Sequence, residues 1–136
     1  MENMVDCLQE ICLESCADPS LLGTFTYAPI LYMYQTLPPE KLCALYEVAD
    51  ACLISSIRDG LNMVSYEYVA CQRKRKGVLV MSQYTGAAKM LPSSVLVNPW
   101  DTPRFAETIA KVLTMPMEER AKRQDAAAEV VDKWTR

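Results

Sequence analysis

The chain has 136 residues, 51% of them hydrophobic and 23% charged, with a formal net charge of -3 and no histidine. That balance is ordinary for a globular domain and excludes fibrous and disordered classes, while the negative charge argues against a nucleic-acid platform, which needs surplus clustered lysine and arginine. No apolar run approaches the length of a membrane span, no histidine general base or metal ligand is available, and acidic residues at Glu2, Asp6, Glu10 and Glu14 are unlike a secretory leader, so a cytoplasmic protein is expected.

In chain order, Met4, Val5, Leu8, Ile11 and Cys12 mark one face of a helix that Asp18-Pro19 ends. Residues 1–22 therefore read as a helical segment of unreadable role ahead of a domain over 23–136. Ala28–Met33 is expected to be a strand with its proline at the start, where a missing donor costs least. Pro39 and Glu40 open a helix with Leu42, Leu45, Tyr46 and Ala49 as its stripe. Ala51–Ile57 and Val78–Ser82 are short apolar runs that read as buried parallel strands, and Val95–Val97 is the last strand. Between them, Cys71–Gly77 gathers Arg73, Lys74, Arg75 and Lys76 at a helix end closed by glycine, which reads as a solvated terminus and no site. Tyr84–Ala88 leads into a short helix of small residues, with Gly86 as scaffold. Asp101 or Thr102 caps a helix with Phe105, Ile109, Val112 and Leu113 on its apolar face. Met115-Pro116 breaks it, and a charged helix from Glu118 to Trp134 pairs Glu119 with Arg123. Strands alternating with helices predict an α/β fold, a parallel sheet flanked by helices.

The six cysteines lie in apolar patterns without C-x-x-C spacing or histidine partners, and read as reduced core thiols with no metal.

The most informative stretch is Arg58–Glu67. After the strand, Asp59-Gly60 turns the backbone, glycine accepting dihedrals forbidden to a side chain, and a helix pattern begins at Asn62 with Met63, Val64, Tyr68 and Cys71. The first N–H groups of a helix have no internal partner and carry the positive end of its dipole, so those of Asn62, Met63 and Val64 could hold a diphosphate. Glu67, one turn beyond Met63, could accept two hydrogen bonds from a sugar diol. From spacing alone, an ordinary buried turn with a solvated Glu67 is the commoner outcome.

The run Ile57–Ala70 resembles the R-D-G-[ML]-N-[LM]-V-x-x-E-[YF]-[VI]-A block of trehalose-6-phosphate synthases. The resemblance continues through Gly77–Ala88, Val97–Trp100 and, upstream, Thr26–Ile30, covering roughly residues 23 to 120. It implies part of the C-terminal, Rossmann-like, donor-binding domain of a two-domain GT-B glycosyltransferase, which moves glucose from UDP-glucose to glucose 6-phosphate with retention. Carried over, the backbone of Asn62, Met63 and Val64 would hold the diphosphate and Glu67 the ribose. Asp59, with the backbone of Gly60, Leu61 and Asn62, would hold the glucose, and Asp59 would also stabilise charge as the glycosidic bond lengthens. Leu37 and Leu42 would lie beside the uracil; without the resemblance they read as core leucines. UDP-glucose or UDP would be the ligand, with no metal cofactor.

The acceptor domain, with its donor-site histidine and glycine-rich loop, and the arginine-lysine pair that clamps the leaving phosphate have no counterpart in this sequence. At about 3 kcal/mol per such contact, the polypeptide alone is expected to be inactive or nearly so. Three readings stay open: a donor-binding half of a synthase present as a partial product, a non-catalytic regulatory subunit contacting other subunits of a trehalose synthase complex, and a generic α/β nucleotide-binding or interaction module.

Overall fold

Three apolar runs form a parallel sheet, β1 (Ala51–Ile54), β2 (Val78–Ser82) and β3 (Val95–Val97), in the spatial order β1-β2-β3. The computed structural model from which this is read describes residues 33–134. These residues divide between two units, the first ending at Leu45 and the second, which contains the sheet, beginning at Tyr46.

The register sets Leu53 beside Val80 and Val80 beside Val95. Every residue of β2 is buried, as befits a central strand covered on both faces. The helices are α1 (Pro39–Val48), α2 (Met63–Cys71), α3 (Ala87–Met90), α4 (Thr102–Leu113) and α5 (Met117–Trp134). On one face Val78, Val80 and Val97 meet Val112 and Phe105 of α4. On the other, Ile54, Leu79 and Met81 meet Tyr68 and Val69 of α2, Ala87 and Ala88 of α3, and Ala127, Ala128 and Val131 of α5. This is the expected parallel sheet flanked by helices, with crossovers β1-α2-β2 and β2-α3-β3. Fully burying a side chain such as Val69, Met81 or Leu91 stabilises the fold by about 1.5–3 kcal/mol.

Local chemistry sets the ends of these helices. Asp101 caps α4, its carboxylate accepting from the Arg104 N–H, and Pro103 stands in the first turn, where its missing donor is harmless. Glu119 and Arg123 pair across one turn of α5 at 2.9 Å, and Arg123 also donates to the Ser93 carbonyl. Small buried residues, Ala127 and Ala128, let α5 pack closely on the core beside α2, where Gln124 donates to the Val69 carbonyl at 2.7 Å.

Several expectations change. The first expected helix and, Met33 apart, the strand at Ala28–Met33 lie outside the described residues. The strand from Ala51 ends at Ile54 rather than Ile57. In α1, Ala44 is buried, while Leu42, Leu45 and Tyr46 are half-buried and Ala49 follows the helix. The buried face of α2 is Ser65, Tyr68 and Val69, continued by Gln72 just past the helix; of the apolar positions at helical spacing, Tyr68 is buried and Cys71 half-buried, while Met63 and Val64 are exposed. A polar pair flanking two core residues hid that face from a hydrophobicity reading. Leu113 is exposed, because α4 ends there and only Val112 turns fully inward. Cys43 is exposed rather than a core thiol, whereas Cys52 and Cys71 are half-buried, and burial pushes the Cys52 thiol up to about 11.

Candidate functional site

The β1–α2 connection carries Asp59, Gly60, Leu61 and Asn62 from the carboxyl end of β1 to the first turn of α2. Asn62 is extended (φ -82°, ψ 102°), and its side chain does two things at once. Its carbonyl oxygen accepts from the Ser65 N–H at 2.9 Å, and its amide nitrogen donates to the Asp59 carboxylate at 2.8 Å. Ser65 returns a bond through Oγ to the Asn62 carbonyl at 2.6 Å. The cap therefore fixes both the start of the helix and the rotamer of the neighbouring acid.

The cap satisfies one first-turn donor and leaves others open. Among the described residues, the N–H groups of Met63 and Val64 have no hydrogen-bond partner, and Leu61, Met63 and Val64 are all exposed. Unpaired amides at the positive end of a helix dipole, open to solvent, suit an anion. Glu67 is exposed one turn further along α2, and the Tyr46 hydroxyl reaches it at 3.5 Å. The Tyr46 hydroxyl is pushed up to about 12, first by burial and next by the charge of Glu67. Tyr46 is held edge-on by Tyr68, with ring centroids 6.2 Å apart.

Asp59, Gly60, Leu61, Asn62, Met63, Val64 and Glu67 thus share one stretch of one unit. Leu37 and Leu42 belong to the other unit and are half-buried there. Gly60 does not supply the special dihedral expected of it: among the described residues no glycine has positive φ, and a Cβ at Gly60 would meet nothing within 4 Å. The glycine crowded against this turn is Gly86, where a Cβ would collide with the Gly60 carbonyl oxygen. The sequence marks Gly86 as scaffold, its small-residue run Gly86-Ala87-Ala88 being the sign of a close approach. It marks Tyr46 as part of the α1 stripe, with no signal that points from it to Glu67. Among the described residues no group of three His, Cys, Asp or Glu side chains could hold a metal ion, and no helix is long and apolar enough to cross a membrane.

A parallel sheet with an open helix N-terminus beyond the carboxyl end of a strand is the arrangement of nucleotide-binding α/β proteins. Residues 19–136 match the family model of Glycosyltransferase family 20, and the chain belongs to that family. It is 45% identical over 113 residues to the 56 kDa subunit of the UDP-forming alpha,alpha-trehalose-phosphate synthase of Kluyveromyces lactis, covering 83% of this chain and 23% of that one. It is 49% identical over 98 residues to the UDP-forming synthase of Candida albicans, covering 72% of this chain and 20% of that one. The chain therefore spans about a fifth to a quarter of the length of these relatives. Among solved structures, a trehalose-6-phosphate protein from E. coli with bound UDP-2-fluoro glucose superposes with a TM-score of 0.76 at 33% identity, covering 94% of this chain and 29% of that one. The N-terminal domain of Candida albicans trehalose-6-phosphate phosphatase gives a TM-score of 0.79 at 35% identity, covering 82% of this chain and 24% of that one.

Proposed function

We propose that the chain is the donor-binding part of a UDP-forming alpha,alpha-trehalose-phosphate synthase, an enzyme that transfers glucose from UDP-glucose to glucose 6-phosphate with retention. The observation that carries this reading is the open first turn of α2, with unpaired amides at Met63 and Val64 beside a carboxylate already oriented by Asn62. In this reading the amides of Asn62, Met63 and Val64 receive the diphosphate. Glu67 takes the ribose hydroxyls. Asp59 and the backbone of Gly60, Leu61 and Asn62 hold the glucose, and Asp59 stabilises positive charge on the sugar as its bond to phosphate lengthens. Leu37 and Leu42 contribute apolar surface to the uracil. In this reading no metal is required, the backbone donors at the helix end taking up the charge of the diphosphate.

The 136-residue polypeptide by itself binds donor but turns over little or nothing, since it spans only about a fifth to a quarter of the length of the relatives it matches. It works in the cytoplasm. Calorimetric titration with UDP and UDP-glucose tests the binding reading, and assay of trehalose 6-phosphate formation by the purified chain tests its inactivity. Absence of nucleotide binding would contradict the first, and measurable product the second.

A second reading is favoured by the similarity to the N-terminal domain of a phosphatase, which puts this fold outside proteins named synthases. In it, the chain is a non-catalytic regulatory subunit that contacts other subunits of a trehalose synthase complex. Such a scaffold has no need of nucleotide affinity, so the same titration separates the two.

A further inference from the structure

The loop after β2 is tied to the loop after β1. Asp59 and Thr85 form a parallel bridge outside the sheet, and the Gly86 N–H donates to the Asp59 carbonyl at 2.8 Å. Thr85 is buried, its hydroxyl donating to the Ser82 carbonyl at 2.8 Å, so this support is fixed to the end of the central strand. Gly86 has ordinary helical dihedrals (φ -63°, ψ -33°), which any residue adopts. Space is what demands glycine there, since a Cβ would run into the Gly60 carbonyl oxygen. That contact is with backbone, which cannot swing aside as a side-chain tip can.

We infer that Gly86 is a positioning residue for the sugar end of the donor site: through its N–H and its missing side chain it sets the backbone of Asp59 and Gly60. This rests on the reading of Asp59 and Gly60 as the glucose-binding segment, and it deepens that reading by adding a residue from another loop. A side chain at Gly86 pushes Asp59-Gly60 outward. The displacement is damped before Met63: Asn62 also holds the Asp59 carboxylate, but two hydrogen bonds with Ser65 tie it to the first turn of α2. Gly86 therefore controls how well the chain tells UDP-glucose from UDP, and leaves its hold on the nucleotide alone.

The test has two arms. In the full chain, Gly86→Ala should lower UDP-glucose affinity about tenfold in calorimetric titration while UDP affinity stays within twofold; a residue with a purely structural role would lower both together, or neither. In the unsubstituted chain, amide exchange at Gly86 read by NMR should slow several-fold more with UDP-glucose than with UDP, and this arm holds even where Gly86→Ala does not fold. Equal losses for the two ligands, or equal protection of the Gly86 amide by both, overturns the inference and leaves the nucleotide reading standing. Failure of the unsubstituted chain to bind either ligand overturns the nucleotide reading and the inference with it.

Discussion

The two ends of α2 differ in how their polar groups are satisfied. At its C-terminal end the polar groups are largely paired within the fold. Gln72, fully buried, donates to the carbonyls of Tyr46 and Ala49 and accepts from the Gly77 N–H at 2.7 Å. Around it Arg73 reaches Asp132, Arg75 reaches Asp50 and Lys76 reaches Asp125, so all of the basic run but Lys74 is engaged in ion pairs. At the N-terminal end the cap binds one amide and leaves its neighbours open among exposed side chains. One helix is thus saturated where it must hold the fold and unsaturated where it could hold an anion. Positive charge in the sequence did not mark the open end.

Substitutions at the closed end should damage the fold and spare the ligand. Gly77→Ala would drive a Cβ to 2.8 Å from both the Ala49 carbonyl oxygen and the Gln72 side chain, at a cost of about 3 kcal/mol in urea unfolding. Nucleotide affinity of the folded fraction should be unchanged. At the open end the pattern reverses: Glu67→Ala should weaken UDP binding by about 1–3 kcal/mol, as for charged hydrogen bonds, while the melting temperature stays put. If Glu67→Ala melts early and binds normally, the division between the two ends fails. Asn62→Ala belongs to both columns, losing about 1 kcal/mol of stability with the cap and freeing the Asp59 carboxylate to rotate. A smaller effect is expected at high pH. The Tyr46 hydroxyl is raised from 10.0 to about 12 in the fold, whereas the unfolded chain releases that proton near 10. Its contribution is whole below pH 10 and is lost as pH climbs toward 12, so Tyr46→Phe should flatten that part of the stability curve. An unchanged slope would remove Tyr46 from the account.

How much of this could be read from residues alone varies with the kind of interaction. The strands β1, β2 and β3 were legible because unbroken apolar runs bounded by turns have few other homes. Asp101 as a cap and Glu119 with Arg123 were legible because their partners lie three or four residues away. The role of Gln72 was not, since its acceptors at Tyr46 and Ala49 are supplied by the distant end of α1 and the residue after it. Gly60 and Gly86 show the same limit: the sequence marks both as glycine, and only the approach of two loops reveals which one needs to be. The short run ending at Ile54 also exposes Ile57, which hydrophobicity had placed in the strand.

The central claim is that peptide N–H groups at the start of α2 hold the anion. Met63→Pro isolates it, because proline suits the first position of a helix and Asn62 is already extended, so the helix should persist with one donor deleted. Calorimetric titration of UDP into this variant should show binding about tenfold weaker or worse than in the unsubstituted chain, at equal helix content by circular dichroism. Binding of UDP at full strength by folded Met63→Pro would contradict the claim.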